Sequence, residues 1–414
     1  MRHVERHIVQ ENNPIWQQID QLCFLSKNLY NYANYKVRQS FIFERVYLGF
    51  NQVYHLVKNS ADYKALPAKV SQQVLRTLDK NWKSFFNANQ AYKKNPNLFT
   101  GRPKLPKYKH KTQGRNLLTY TIGAISKTGL KLGKVKLSGT DIAIPTQAKN
   151  IAQARIIPKV GQYVIEVVYD QNEHHTVTNT EAVAAIDIGV DNLAALTSNQ
   201  KGFIPVLVNG RPLKSLNQFY NKNKALLQSR LKGKKKSGKQ IKRLTAKRNN
   251  QVDTYLHQAS RWIINHLDKY GIGELVIGKN PLWKQEVNNG KPNNQSFTFI
   301  PHARFIEMLI YKGAMKGIKV ITREESYTSR ASFLNLDTIP VYGSDEAKKI
   351  KFSGYRVSRG MYKIKGKKIR INADINASYN ILRKVIPTVF DGGIEGVVVR
   401  PTRVTPGRVK NERV

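Results

Sequence analysis

Between Lys80 and Thr140 the chain runs for 61 residues without one aspartate or glutamate while carrying 14 lysines and arginines. Asn192 to Val252 repeats the pattern, with 15 cations and no acid in 61 residues, and Ala347 to Ala373 adds 10 cations in 27. An ordinary solvated surface mixes both signs, so solubility does not explain windows this long. Like charges repel one another across a folded surface. Whatever fold the chain adopts must therefore leave these windows facing a polyanion.

The whole chain has the same bias: 70 Lys and Arg against 27 Asp and Glu, a formal +43 over 414 residues. A phosphate backbone answers that charge best, because it neutralises the cations and releases condensed counterions, which predicts steeply salt-dependent binding. A membrane is the competing polyanion. No stretch approaches the ~18 consecutive apolar residues of a spanning helix, and the opening MRHVERHIVQ lacks a signal-peptide core, so a cytoplasmic, nucleoid-associated protein is expected. Cys23 is the only cysteine. It permits no internal disulfide and no cysteine-based zinc site, so any catalytic metal must sit on oxygen or histidine ligands.

Hydrophobic residues make up 40% of the chain, enough for two or three domains with cores of their own. Residues 1 to 10 predict a lone strand, and from about Ile15 to Tyr92 the pattern turns helical. Val70, Val74, Leu75, Leu78, Trp82, Phe85 and Phe86 form one apolar stripe at the helical period, a core face without chemistry. Tyr30, Tyr32 and Tyr35 alternate with Lys27, Lys36 and Arg38, which suits base stacking and equally suits half-buried tyrosines of a helical lobe. A proline-punctuated basic loop, GRPKLPKYKHK, follows, and Lys104, Lys107, Lys109, Lys111 and nearby Arg115 are candidate nucleic-acid contacts. The short alternating runs after it (LLTYTIG, LKLGKVKL, DIAIP, ARIIP, YVIEVVYD) predict a small antiparallel barrel.

Polar QNEHHTVTNTE marks a boundary before a new apolar strand, VAAID. Two long helical patterns come next, broken by KGKKKSGK, a phosphate-seeking turn. Lys234, Lys235, Lys236 and Lys239 in the turn, with Arg243 and Arg248 just beyond, complete the candidate nucleic-acid contacts.

In VAAIDIGVDNLAAL, Asp187 ends a buried-looking strand, with Gly189 leaving room for a metal-bound phosphate. An aspartate there is just as often a turn former. In NADINASYNILRKV, Asp374 opens a helix whose apolar face is Ile375, Tyr379 and Leu382, a position that helix capping alone also explains. Two acids on rigid element ends amid basic sequence meet the needs of two-metal phosphodiester cleavage, with ions roughly 3.5 to 4 Å apart. Hard oxygen ligands favour magnesium or manganese.

Taken in order, AIDIGVDNLAAL, YKGAMKGIKV, SYTSRASF and NADINASYNIL, with weaker LYNYA and GRPKLPKYK upstream, resemble the TnpB (OrfB) family. These transposon-encoded RNA-guided nucleases are ancestor-like relatives of the type V CRISPR effectors. The resemblance covers most of the chain and is strongest over 182–386. It implies an α/β chain with a β-barrel and a helical lobe. A wedge-type barrel (1–12 and 98–181) would be interrupted by a helical recognition lobe (13–97). An RNase H-like, RuvC-type nuclease domain would occupy 182–386, with a helical insertion at 214–268, and a tail at 387–414 is left unassigned. The implied partners are a transposon-derived guide RNA and target double-stranded DNA bearing a short flanking motif.

Two departures from the family pattern stand out. Where the second catalytic motif normally ends a strand in glutamate, this chain reads ELVIGKN, with Gly278 in the carboxylate position. The next strand, GIKVIT, should run parallel after a crossover helix and bring Glu324 and Glu325 to the same sheet edge. Relatives known as Fanzors resemble this arrangement, with a displaced glutamate just before a Thr-Ser pair, here Thr328-Ser329. The resemblance thus implies Asp187, Glu325 and Asp374 as metal ligands, Glu324 as the next candidate, and Glu274, Glu286 and Glu307 as weaker substitutes. Alternatively, cleavage has been lost and the chain is an RNA-guided DNA-binding protein without nuclease activity, or a protein-only accessory DNA binder of a transposase. The second departure lies in 329–372, where many relatives carry zinc-binding cysteine pairs. This chain has the basic hairpin KKIKFSGYRVSRGMYKIKGKKIRI instead, so zinc is not expected. His257 and His302 read as structural or surface histidines.

Overall fold

A computed structural model describes residues 2–171, 179–233, 236–280, 298–358 and 360–407. The chain divides into two compact units, Met1–Asn172 and Glu173–Val414.

In the first unit, β1 (Arg2–Val9) leads into α1 (Trp16–Gln39), α2 (Phe50–Val57), α3 (Ala61–Lys64) and α4 (Ala68–Lys94). The α4 stripe packs as its period requires: Val70, Val74, Leu75, Leu78 and Trp82 are buried, and Phe85 and Phe86 close over them. Across the interface, α1 contributes Leu22, Leu29, Ala33 and Val37, and the Trp82 indole N–H donates to Asn34 Oδ1 at 3.0 Å. Tyr30 belongs to this core, whereas Tyr35 is exposed.

Then follow β2 (Leu118–Thr121), α5 (Lys127–Lys131), β3 (Lys134–Lys136), β4 (Ala143–Pro145), β5 (Ile151–Lys159) and β6 (Gln162–Asp170). The opening strand is not alone, because β1 pairs antiparallel with β6 from Arg2↔Asp170 to Val9↔Tyr163. The expected barrel is not formed among the described residues. The strands make an open sheet of order β1-β6-β5-β2, and β3 and β4 pair separately. At only four residues, β2 runs straight into the 3-10 turn Ile122–Ala124, too short a ladder to carry the sheet round to closure.

The basic loop before β2 has no regular secondary structure, yet α1 holds it down. Lys27 donates to the Lys111 carbonyl (2.6 Å), Asn34 and Arg38 donate to that of Pro106 (both 3.1 Å), and Asn31 exchanges bonds with Lys109 (2.9 and 2.8 Å). Side chains thus replace the ladder that Pro103 and Pro106 cannot complete.

The second unit is built on one six-stranded sheet. Its strands are β7 (Asn179–Asp187), β8 (Asn192–Ser198), β9 (Val206–Asn209), β10 (Ile272–Gly278), β11 (Lys319–Arg323) and β15 (Thr402–Val404), in the order β11-β10-β7-β8-β9-β15. β7, β8 and β9 alternate in direction, β10 and β11 run parallel to β7, and β15 runs parallel to β9. On one face lie α7 (Lys239–Lys269), which follows α6 (Arg211–Ser229), and the crossover helix α8 (His302–Ala314); Leu256, Ile263, Phe305 and Leu309 are fully buried. After α9 (Asp345–Lys349), β12 (Gly354–Ser358), β13 (Met361–Ile364) and β14 (Arg370–Asn372) form a small antiparallel sheet around Tyr362 and Ile371. α10 (Ala373–Val385) covers the other face of the main sheet with Ile375, Tyr379 and Leu382. No described helix is long and apolar enough to cross a membrane.

One buried charge makes this packing pH-dependent. Lys312 of α8 is 2% exposed and donates to the His257 carbonyl (2.8 Å) and to Ser260 Oγ (2.6 Å) on α7. Burial, with Arg261 nearby, pulls its ammonium down from the usual 10.5 to about 8. Between those values the unfolded chain holds more protons than the folded one, so stability rises with pH across the window and the full cost applies below it. Lys312→Met, which keeps the stem and removes the charge, is expected to stabilise the fold by roughly 1–3 kcal/mol at pH 7. Thermal melts from pH 7 to 10 should show that gap narrowing; a variant less stable than the parent at pH 7 contradicts it.

Candidate functional site

The motif NADINASYNIL can be accounted for position by position. Asn372 caps α10, its Oδ1 accepting from the backbone N–H groups of Asp374 (3.0 Å) and Ile375 (3.1 Å). Ile375 and Tyr379 enter the core. Asn376 and Asn380 turn the other way and hold the loop 328–333: Asn376 exchanges bonds with Ala331 and Phe333, and Asn380 donates to the Thr328 and Ala331 carbonyls. Ser378 faces the sheet, where its hydroxyl donates to the Ala185 carbonyl at 2.9 Å and lies 2.9 Å from Thr197 Oγ1. Asp374 stands one turn before Ser378 on the same helix face, and Ala185 lies two residues before Asp187. Docking through Ser378 therefore brings Asp374 to the end of β7.

Asp187 is held by the tight loop that follows it. Gly189 leaves no room for a side chain, since a Cβ there would lie 2.8 Å from the Asn192 carbonyl oxygen. His302, fully buried at the start of α8, meets the Gly189 carbonyl at 3.1 Å through Nε2, and Lys214 pairs with Asp191 at 3.0 Å.

The third acid reaches the site from the neighbouring strand. β10 and β11 run in register to Gly278↔Arg323, so Glu324 and Glu325 emerge beside Gly278. A Cβ on Gly278 would lie 2.2 Å from Glu325 Oε2 and 2.5 Å from Ile381 Cδ1. The Glu325 side chain thus fills the space above the strand end that any residue larger than glycine at 278 would need. Its neighbour is committed elsewhere: Glu324 accepts from Lys384 Nζ at 2.5 Å and from the Ser326 N–H at 2.6 Å. Burial alone would raise the Glu324 carboxyl, but these contacts hold it below its usual range.

Burial pushes Glu325 up to about 7, with the Glu324 charge adding to it and Lys384 opposing. Asp187 is likewise raised well above its usual range, first by burial, then by the charges of Glu325 and Asp374, with Arg356 of β12 working against them. The site has more negative charge than it can comfortably keep. Two side chains absent from the sequence reading answer it at Asp374: Arg356 pairs with Oδ1 at 3.2 Å, and the Asn192 amide donates to Oδ2 at 2.8 Å. Asn192 stands in DIGVDN, five residues after Asp187; nothing in the sequence ties Arg356 to the site.

The donor chemistry fits a hard divalent cation, because all three side chains offer carboxylate oxygens and their mutual repulsion is what such a cation relieves. Among the described residues, however, no group of three or more His, Cys, Asp or Glu side chains is placed to hold one metal ion.

The other candidates are dispersed. Lys104, Lys107, Lys109 and Lys111 are exposed on the strapped loop, and Lys236, Lys239 and Arg243 are exposed at the start of α7 and just before it. Lys234, Lys235 and Glu286 lie outside the described residues. Arg115 is engaged internally by Asp20 at 2.8 and 2.6 Å, and Arg248 by Asn217 and the Phe299 carbonyl. Glu274 pairs with Lys319, and Glu307 is exposed on α8.

The family model described as OrfB_IS605, a probable transposase, matches residues 166–283, and the model Cas12f1-like, TNB domain, matches residues 302–381. The two matches succeed one another along the chain, which is similar to these TnpB-like and Cas12f1-like families over those segments. No curated protein matches. Among solved structures, a Cas12f1–sgRNA–target DNA complex aligns at 15% identity and a TM-score of 0.37, over 92% of this chain and 98% of that one. A CRISPR-Cas12f ternary complex aligns at 15% and 0.36, over 88% and 82%. Alicyclobacillus acidoterrestris C2c1 with single-guide RNA aligns at 9% and 0.41, over 89% and 70%.

Since Asn372 both caps α10 and sets the first turn that carries Asp374, Asn372→Ala should cost about 1 kcal/mol in urea denaturation, and Asn372→Asp should recover most of it. A silent Asn372→Ala would remove the capping role.

Proposed function

We propose that this chain is an RNA-guided DNA endonuclease that hydrolyses phosphodiester bonds in DNA matched to a transposon-derived guide RNA. The carrying observation is that Asp187, buried at the end of β7, feels the charges of Glu325 and Asp374, so that acids from three distant segments come together at one end of one sheet. The order β9-β8-β7-β10-β11, with its parallel crossover through α8, supports an RNase H-like, RuvC-type reading of the nuclease domain. Both family matches and the +43 charge support nucleic-acid partners. Base pairing with the guide would supply target choice, and the protein would read a short flanking motif and backbone shape.

In this reading Asp187, Glu325 and Asp374 would hold two magnesium or manganese ions, which would supply water activation and stabilisation of the leaving oxygen. The protein's own contribution is placement. Ser378 and the Asn372 cap fix Asp374, the Gly189 loop fixes Asp187, and Lys384 keeps Glu324 away so that Glu325 alone fills the space above Gly278. The exposed lysines on the strapped loop and at the start of α7 would track phosphates.

A second reading, guide-dependent DNA binding without cleavage, is favoured by the Arg356–Asp374 pair, in which a guanidinium already occupies a carboxylate of the site.

Asp187→Ala is expected to abolish cleavage in magnesium or manganese while leaving binding of the copurified RNA and matched DNA nearly unchanged. Cutting at the parental rate by that variant sinks the assignment, and a parent that binds but never nicks establishes the second reading. Moving the carboxylate back, by Gly278→Glu with Glu325→Gly, should retain cleavage. Gly278→Ala alone, which pushes the Glu325 side chain out of its place, should slow it by at least about tenfold.

A further inference from the structure

We infer that β15 of the C-terminal segment takes part in the site: Arg403 is a positioning residue that orients Asn192, and through it Asp374. The inference rests on the nuclease reading and extends it to a part of the chain for which neither motif nor family match assigns a role.

β15 is the edge strand, paired in parallel with β9 as Thr402↔Val206, Arg403↔Leu207 and Val404↔Val208. Further bonds hold it there, from the Thr402 N–H to the Pro205 carbonyl (2.9 Å) and from Asn209 Nδ2 to Thr405 Oγ1 (3.0 Å). Register decides which way each side chain points. Val208 packs among the residues under α7 and α8, with Val404 against the same cluster, whereas Leu207 packs on the α10 face. Arg403 is the partner of Leu207, so alternation places it on the face that carries Asp374. Its guanidinium reaches across β9 to the start of β8, where Nη2 donates to Asn192 Oδ1 at 3.4 Å.

Asn192 is buried at 7% exposure, and its amide is read from both ends: the oxygen accepts from Arg403 and the nitrogen donates to Asp374 Oδ2 at 2.8 Å. A guanidinium only donates and a carboxylate only accepts, so one orientation of the amide satisfies both neighbours. Arg403 thereby holds the Asn192 N–H on Oδ2 of Asp374, and Oδ1, which Arg356 meets, would be the oxygen open to a cation. Partners that orient a metal ligand in this way typically alter metal affinity by about 10–100-fold when removed.

The test uses the full chain purified with its RNA and bound to matched DNA. Manganese binding is followed by electron paramagnetic resonance of the free ion, with the Asp187→Ala complex as baseline for ions held by nucleic acid alone. Cleavage rate and melting temperature are measured alongside. Arg403→Met should weaken the Asp187-dependent manganese binding by about tenfold and slow cleavage at limiting metal, with the melting temperature unchanged, and Arg403→Lys should recover most of both. Arg400→Ala, at an exposed neighbour, should match the parent. If the parent cleaves and Arg403→Met binds manganese as tightly as the parent does, the inference is wrong. It is equally wrong if the loss tracks a fall in melting temperature and lysine does not rescue it. A parent with no Asp187-dependent manganese binding and no cleavage instead overturns the nuclease reading itself, and this inference with it.

Discussion

Everything at the site follows from how α10 lies on the sheet. A helix can slide or turn on an apolar surface at little cost, since Ile, Leu and Tyr contacts are tolerant of register. The buried Ser378 hydroxyl is not tolerant. It must find a partner in the interior, and it finds the Ala185 carbonyl and Thr197, which sets one register of α10 against β7 and β8. Asn376 and Asn380 do the same on the opposite side, tying the loop that follows Glu325 to the same helix. One helix thus fixes the positions of two acids, one that it carries and one on the loop it holds.

The exchange at Gly278 follows the same logic in steric terms. Two side chains cannot occupy the space at the end of β10, so a glutamate supplied by the loop after β11 requires the smallest residue on the strand. Lys384 completes the exchange. Of two adjacent glutamates it takes Glu324, whose contacts outweigh its burial, while burial raises Glu325.

What could be read in the sequence was what local pattern carries. The α4 stripe, the capped start of α10, the strand ending at Asp187 and the crossover through α8 are each written in spacings of a few residues. The choice between Glu324 and Glu325 was not, because it depends on Lys384, 60 residues from Glu324. Arg115 and Arg248 look like surface cations beside their basic neighbours, and only tertiary contacts with Asp20 and Asn217 show them to be internal struts. The expected barrel does not close among the described residues for a similar reason. Alternating residues announce strands, but closure depends on the length of β2 and on which edges meet, and neither is a local property.

Charge balance connects these observations. A chain with so few acids gathers several of them at one sheet end and offsets them with its own donors, Arg356 on one oxygen of Asp374 and Asn192, backed by Arg403, on the other. The two donors differ in how easily they leave. Arg356 is about half exposed, on a strand of a small separate sheet, so withdrawing it from Asp374 costs little of an ion pair already screened by solvent. Asn192 is buried between β9 and α10, and moving it would leave an amide without partners. On the nuclease reading, a cation at Asp374 would displace the guanidinium and keep the amide, so Asn192 and the strand that holds it would set the lasting geometry of the site.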